Sequence, residues 1–351
     1  MKILIPLAVD FGPHGGFRVI SELANNWIRQ GHQVDFLVYC KFKKPYFPTQ
    51  ARILFYNSFG TIVESDSKDF LFLGPLQLQY ALKKALTKID ADVILATQCF
   101  SAEPVAKSLS RAKKYYYIQA YEPEYYVGGL KNWLFRKISE RSYLQNLIHI
   151  VNSPMYYNYR EIKAEKCVFP GLDLEIFSPK HSQFLNKKLI LGTIGRVEAI
   201  KGTSDILESF SYLRNLYGDQ MELHIAFGKE EWGDLPGVKF LKPENDGQLA
   251  EYYRSIDIYI CAGKYQLDAV HYPVIEAMAC KTPVLSTGYY PADETTAYML
   301  DVNNSQSISK KVIEVLNNIN EAKMKSENAL EKIYQFDWRI VSRQMIKYFE
   351  E

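Results

Sequence analysis

Apolar positions along the chain switch between two periods. Short continuous apolar runs alternate with stretches in which apolar residues recur every three or four positions. Residues 2–9 read as a first strand, followed by the loop Phe11-Gly12-Pro13-His14-Gly15-Gly16. Phe17, Ile20, Leu23, Ala24, Trp27 and Ile28 then repeat at helical spacing, and Gly31 stands where a helix C-cap belongs. Residues 34–38 form the next strand, and Leu78, Leu82, Ala85, Leu86 and Ile89 mark a helix. Strands are expected at 92–96, 114–119, 148–152 and 167–170. The rhythm restarts at 188–194, which ends at Gly195-Arg196. Ile206, Leu207, Phe210 and Leu213 give a helical stripe, and strands are expected at 222–227, 256–261 and 282–286. Pro273 opens a short helix, and 310–316 and 338–349 read as late helices.

Strands that alternate with helices predict parallel βαβ units. Two such series in 351 residues, at roughly 100–200 residues per domain, predict an α/β protein. The expected architecture is two doubly wound, Rossmann-like parallel-sheet domains facing across a cleft. The N-terminal domain is expected over 1–176, the C-terminal one over 177–336, and 337–351 as a helix that packs back toward the N-terminal domain. The stretch 170–186, with Gly171, Pro179 and a polar run, reads as the junction.

Composition narrows the function. Lys plus Arg is 42 against 40 for Asp plus Glu, so the net charge of +2 argues against a dedicated nucleic-acid binder. Cys40, Cys99, Cys167, Cys261 and Cys280 show no C-x-x-C spacing, which suits small core residues in a reducing compartment. Residues 1–9 meet Asp10 too early for a signal-peptide core, and no stretch reaches the ~20 apolar residues of a membrane span. The expectation is a soluble, cytoplasmic protein. Peripheral attachment is the one membrane role left: the basic-aromatic runs 41–47 and 133–137 suit an anionic membrane surface, or a solvated loop and an ordinary amphipathic helix.

Ligands of open parallel sheets bind outside the carboxyl ends of the strands, and this rule sorts the candidate chemistry. Asp90-Ala91-Asp92 spells a D-x-D metal pattern but precedes its strand, so it reads as a turn or cap. His14-Gly15-Gly16 follows the first strand and opens a helix, where free N–H groups suit an anion and a tight turn is the plainer explanation. Arg196 and Lys201 flank the loop leaving the first strand of the second series, as a diphosphate clamp or as solvated charges. Asp268 and Glu276 bracket one loop and helix start, where carboxylates suit ribose or sugar hydroxyls and Glu276 in a first turn also suits the helix dipole. Aromatics and carboxylates mix in 119–126, which suits carbohydrate or packed tyrosines.

Taken together, the chain resembles the retaining nucleotide-sugar glycosyltransferases of family 4, which have the GT-B fold. Five stretches carry the resemblance in order: Gly15-Gly16 with Gly31-His32-Gln33-Val34; Phe169-Pro170-Gly171-Leu172-Asp173 with Phe177-Ser178-Pro179; Gly195-Arg196 with Lys201-Gly202; Asp268 with Glu276 in the run 273–284; and the closing helix after Trp338. The resemblance implies that Arg196 and Lys201 hold the donor diphosphate, that Gly15 and Gly16 approach the same group, that Glu276 holds the ribose and that Asp268 contacts the donor sugar. It places the base near Phe240, Leu241 and Lys242. The expected catalytic set is Arg196, Lys201 and Asp268, together with Glu122, which the loop itself offers as a candidate for positioning acceptor or sugar hydroxyls. The implied substrate-binding set is His14, Gly15, Gly16, Gln119, Leu241, Lys242, His271, Tyr272, Pro273, Val274 and Glu276. The implied partners are a nucleotide diphosphate sugar donor and a glycan or lipid-linked acceptor in polysaccharide biosynthesis, with no metal and no cofactor.

Three features depart from the family pattern. Asp268 replaces a glutamate, Ala269-Val270-His271 replaces a glycine-rich run, and Gln119-Ala120-Tyr121-Glu122-Pro123 stands where many relatives place a histidine. That run and the Gly-Gly-x-Arg start are similar to rhamnosyltransferases that use dTDP-rhamnose. Two other readings share the same residues: a GT-B nucleotide-sugar epimerase, and a non-catalytic nucleotide-sugar or glycan-binding protein.

Overall fold

The computed structural model describes residues 1–65, 67–72, 74–180 and 188–351. The chain divides into two compact units, Met1–Gly171 with Trp338–Glu351, and Leu172–Asp337.

The first unit runs β1 (Lys2–Pro6), α1 (Gly15–Arg29), β2 (Gln33–Tyr39), β3 (Arg52–Tyr56), β4 (Ile62–Val63), α2 (Pro75–Leu86), β5 (Val93–Ala96), α3 (Cys99–Ala106), β6 (Lys113–Ile118), α4 (Leu130–Ser142), β7 (Ile148–Val151) and β8 (Ala164–Cys167). They form an eight-stranded sheet in the order β4-β3-β2-β1-β5-β6-β7-β8, parallel except where β4 meets β3. Its central strands are continuous apolar runs because helices cover both faces of a parallel sheet. The strand expected at 167–170 lies earlier, at Ala164–Cys167. It is an edge strand carrying Glu165 and Lys166, so its polar alternation hid it. In α1, Gly31 adopts φ 87° and Gly31 and His32 return N–H bonds to Ile28 and Trp27, which closes the helix.

The second unit runs β9 (Leu189–Ile194), α5 (Thr203–Tyr217), β10 (Met221–Ala226), β11 (Val238–Leu241), α6 (Asp246–Ser255), β12 (Ile258–Cys261), α7 (Tyr272–Ala279), β13 (Val284–Ser286), β14 (Tyr298–Met299), α8 (Ser305–Asn317) and α9 (Ile319–Ile333). Its six strands are all parallel, in the order β11-β10-β9-β12-β13-β14. This is the order of a doubly wound nucleotide-binding sheet, with its switch point between β9 and β12. Leu191, Leu223, Ile225, Ile258, Ile260 and Leu285 of the sheet pack against Ile206, Phe210 and Leu213 of α5 and Ile308, Val312 and Val315 of α8.

The last helix, α10 (Trp338–Glu350), belongs to the first unit. Phe349 is buried against Trp27 and Tyr115, at ring separations of 5.7 and 4.8 Å, and the Trp27 indole N–H donates to the Ser342 carbonyl at 3.1 Å. The unit boundary falls at Gly171/Leu172 rather than 176/177. Leu172 donates its N–H to Phe336 at 2.7 Å and bridges to Asp337, which ties it to the second unit, while a side chain at Gly171 would strike the Trp338 ring of α10. Of the junction read at 170–186, residues 181–186 lie outside the described residues.

Candidate functional site

In the second unit the chemistry gathers at the switch point. From β9 the chain passes Gly195-Arg196, makes a short 3-10 turn at Ala199–Lys201 and enters α5 through Gly202. The Thr203 hydroxyl closes this loop: it donates to the Arg196 carbonyl at 2.9 Å and accepts the Arg196 N–H at 3.1 Å. The loop after β12 packs against it, with the Lys264 N–H on the Ile200 carbonyl at 2.8 Å. Gly202 has φ 73°, and a Cβ there would lie 1.9 Å from the Ala262 carbonyl oxygen, so only glycine lets the two loops meet.

Arg196 is exposed and Lys201 half-buried, and neither pairs with a carboxylate among the described residues. Lys264, beside them, does pair, with Asp205 at 2.8 Å. The structure thus presents the two cations of this loop and neutralises the one on the loop packed against it. His271 lies within reach of both. Burial pushes its imidazole down to about 3, and the charges of Lys201 and then Arg196 add to that shift. The ring stacks on Tyr289 at 4.5 Å, with Nδ1 3.7 Å from the Cys261 sulfur. It is therefore a neutral hydrogen-bonding group at physiological pH.

Asp268 is exposed in a left-handed backbone conformation, φ 66°, and donates its N–H to Gly288 at 2.8 Å. Glu276 is not in the first turn of its helix. Tyr272 is already helical and His271 is the N-cap, so Pro273 is the second helical residue and Glu276 the fifth. The helix dipole therefore does not account for this carboxylate. It is only 4% exposed, and its Oε2 accepts the Tyr253 hydroxyl at 2.9 Å. Tyr272, Pro273 and buried Val274 form the helix start beside His271. Leu241 and Lys242 end β11 on the same carboxyl edge, two strands from β9. The Leu241 carbonyl accepts the Phe227 N–H at 2.9 Å, and Lys242 is exposed.

In the first unit a cavity of about 520 Å³ opens where β1 and β5 part. His14, Gly15 and Gly16 reach it from β1, Thr97, Gln98 and Phe100 from β5, and Gln119, Ala120, Glu122, Tyr125 and Tyr126 from β6. The side chain of the N-cap residue His14 does not cap α1, which leaves the first N–H groups of the helix beside this space. A Cβ on Gly15 would meet nothing within 4 Å, whereas one on Gly16 would touch the Gln119 amide at 3.4 Å. Thr97 Oγ1 and Gln119 Oε1 are buried without a hydrogen-bond partner among the described residues. Orphaned buried polar atoms cost free energy, so this cavity suits a ligand with hydroxyl groups.

Glu122 lines the cavity but has a structural task that the sequence did not reveal. Its Oε1 accepts the Cys99 N–H at 2.8 Å and the Tyr116 hydroxyl at 3.3 Å, so the carboxylate caps α3. Burial pushes its carboxyl up, and those hydrogen bonds oppose the shift. The D-x-D pattern is structural: Asp92 accepts the Lys2 N–H at 2.7 Å and Asp90 pairs with the Lys2 ammonium at 2.5 Å. No cluster of metal-ligating side chains occurs among the described residues. Sequence reading missed Thr97, Gln98, Thr203, Tyr253 and Tyr289. Thr97 and Gln98 directly follow a recognised strand, so the carboxyl-edge rule applied to every strand finds them.

Two parallel sheets, each with its chemistry at the carboxyl ends of its strands, define the class, and comparison with solved structures identifies it as the GT-B fold. Sucrose-phosphate synthase from Thermosynechococcus elongatus superposes with a TM-score of 0.75 at 16% identity, covering 100% of this chain and 98% of that one. HepE from Anabaena, solved with UDP and glucose, gives 0.72 at 16% identity, with 100% of both chains covered. Residues 176–332 match the family described as glycosyl transferases group 1, so the second unit carries a domain of that group. Among curated relatives, the phosphatidyl-myo-inositol mannosyltransferase of Mycolicibacterium smegmatis is 27% identical over 139 residues, 38% of this chain and 34% of the relative. The matched segments span between 32% and 59% of the lengths of such relatives.

Two expectations follow. Gly202→Ala forces a Cβ into the Ala262 carbonyl at positive φ and destabilises the second unit by more than about 1 kcal/mol. Gly15→Ala, with open space at its Cβ, leaves stability at or above wild type. Urea titrations of both variants check this. For His271, the unfolded chain takes up a proton near the ordinary value of 6.5 and the native state only near 3. The native state holds fewer protons in that window, so stability falls as the pH drops from about 6.5 towards 3. His271→Asn makes the melting temperature less sensitive to acid across this range, and an unchanged pH profile refutes the assignment.

Proposed function

We propose that the chain is a retaining, metal-independent glycosyltransferase. It moves a hexosyl or deoxyhexosyl group from a nucleoside diphosphate sugar to a hydroxyl of a glycan or lipid-linked acceptor, in the building of a polysaccharide. The observation that carries this reading is the pair of cations, Arg196 and Lys201, presented without a carboxylate partner among the described residues at the switch point of a glycosyl transferases group 1 domain. A mannosyltransferase among the curated relatives and a fold neighbour solved with UDP and glucose support a hexose donor.

In this reading the two cations neutralise the diphosphate as it leaves, Arg196 as a bidentate fork and Lys201 as a point charge. The sugar passes through an oxocarbenium-like state, and the acceptor hydroxyl attacks the same face, giving its proton to the departing phosphate oxygen. Glu276, fixed by Tyr253, holds the ribose; Asp268 and neutral His271 contact donor hydroxyls. Gln119 and Thr97 orient acceptor hydroxyls, and Glu122 keeps the start of α3 in place for them.

Attachment to a membrane face fits the first unit. Helix α4 exposes Leu130, Trp133 and Leu134 beside Lys131, Arg136, Lys137 and Arg141, and the loop 41–47 exposes Lys41, Lys43, Lys44 and Tyr46. No described helix is long and apolar enough to cross a membrane.

Arg196→Ala or Lys201→Ala lowers kcat/KM by about 10–150-fold each, since a hydrogen bond to a charged group contributes ~1.5–3 kcal/mol. The donor for this assay is the nucleotide sugar that raises the melting temperature most in a panel including UDP-hexoses and dTDP-rhamnose. Activity persists in excess EDTA; chelation that abolishes turnover, restored by magnesium or manganese, reassigns the cations. Product analysis without acceptor separates this reading from an epimerase. In flotation, the protein rises with phosphatidylglycerol vesicles at low salt and less so as Trp133→Ser, and failure to float removes the membrane assignment.

A further inference from the structure

We propose that a second, apolar cavity of the first unit takes the hydrocarbon chain of an amphiphilic acceptor whose polar head occupies the first cavity. The assignment rests on the transferase reading and specifies its acceptor. The second cavity measures about 360 Å³ and is walled by Ala8, Phe42, Leu71, Pro75, Leu78 and Phe135. Val9, Phe100 and Tyr126 line both cavities, so the two adjoin through a shared wall.

Their polarity differs. The first holds the orphaned Thr97 Oγ1 and Gln119 Oε1. In the second, the polar side chains are Asp10, Gln79 and Tyr126 of the shared wall, and Asp10 and Gln79 are both engaged. Asp10 Oδ1 accepts the Lys43 N–H at 3.0 Å, and Gln79 Nε2 donates to the Phe100 carbonyl at 3.3 Å. No buried polar side-chain atom of this lining lacks a partner among the described residues. A ligand there gains by leaving water rather than by hydrogen bonding.

The surroundings extend the apolar path and mark its other end. Phe70, Phe72, Leu76 and Tyr80 are 66%, 79%, 64% and 57% exposed, on the segment that supplies Leu71, Pro75 and Leu78. Phe42 enters the wall between exposed Lys41 and Lys43-Lys44, cations suited to an anionic junction such as a phosphate. A hydroxyl-seeking cavity, a mostly apolar cavity beside it and basic residues flanking Phe42 of its wall fit a head group, a chain and a phosphate link.

The test uses hexyl, octyl and decyl β-glucosides below their micellar concentrations, titrated calorimetrically into the full chain. The expected dissociation constant falls by up to about fourfold per added methylene. Phe42→Ser and Leu71→Asn each flatten that slope, while the melting shift given by UDP stays as in wild type and shows that the variants are folded. A constant independent of chain length, or a slope unchanged in both variants, overturns the proposal. Self-association through the apolar rim without chain-length dependence also overturns it. If the slope and its loss in the variants hold but no nucleotide sugar supports transfer to any acceptor, the pocket stands and the transferase reading fails.

Discussion

The turn that carries Arg196 and Lys201 is held by backbone contact, and that contact leaves no room for a side chain at position 202. Gly202 lies against the Ala262 carbonyl at positive φ, Ile200 accepts the Lys264 N–H, and Thr203 joins the two ends of the loop at Arg196. Each restraint acts on main chain, so the two side chains remain available for an anion. Lys264, on the loop after β12 that packs against this turn, is tied to Asp205, which neutralises a neighbouring positive charge. The cost of gathering like charges is visible at His271, whose imidazole is pushed down to about 3 by burial and by Lys201 and Arg196. In the proposed reading, an anionic ligand between these groups relieves that repulsion.

The two units use one geometric rule in different chemistry. In each, the sheet order reverses beside its first strand, and the chemistry gathers at the carboxyl ends of the strands there. In the second unit this switch point is cationic, with Glu276 held by Tyr253 and Asp205 by Lys264. In the first it is nearly uncharged, with amide and hydroxyl groups that lack partners and aromatic walls from Phe100, Tyr125 and Tyr126. A phosphate-bearing donor and a hydroxyl-bearing acceptor make these different demands.

Much of this was legible in the sequence. Buried parallel strands are continuous apolar runs, so β1, β2, β5, β6, β9, β10, β12 and β13 stood out within a few residues of their observed bounds. Helix α1 was marked by its stripe and by Gly31. Edge elements were harder: β3, β4 and β14 are short or lie at the margins of their sheets, and α3 is interrupted by Pro104. At the site, residues in the loops that leave strands were found when they were charged or glycine, as with Arg196 and Gly15. Thr97 was passed over because a threonine declares its function only when burial leaves its hydroxyl without a partner. Glu122 shows the converse. A carboxylate in an aromatic loop looks like a ligand group, but here its partner is a helix N-terminus 23 residues earlier, a contact that spacing does not encode.

The central claim is that the cations of the β9 loop recognise a diphosphate. Titration calorimetry of the full chain with a nucleoside, its monophosphate and its diphosphate, in the uridine and thymidine series, tests it most directly. The account predicts that affinity rises steeply with each phosphate in the preferred series, and that the double variant Arg196→Ala/Lys201→Ala loses this rise while still binding the nucleoside. Equal affinity for nucleoside and diphosphate, or a phosphate dependence that survives the double variant, would contradict it.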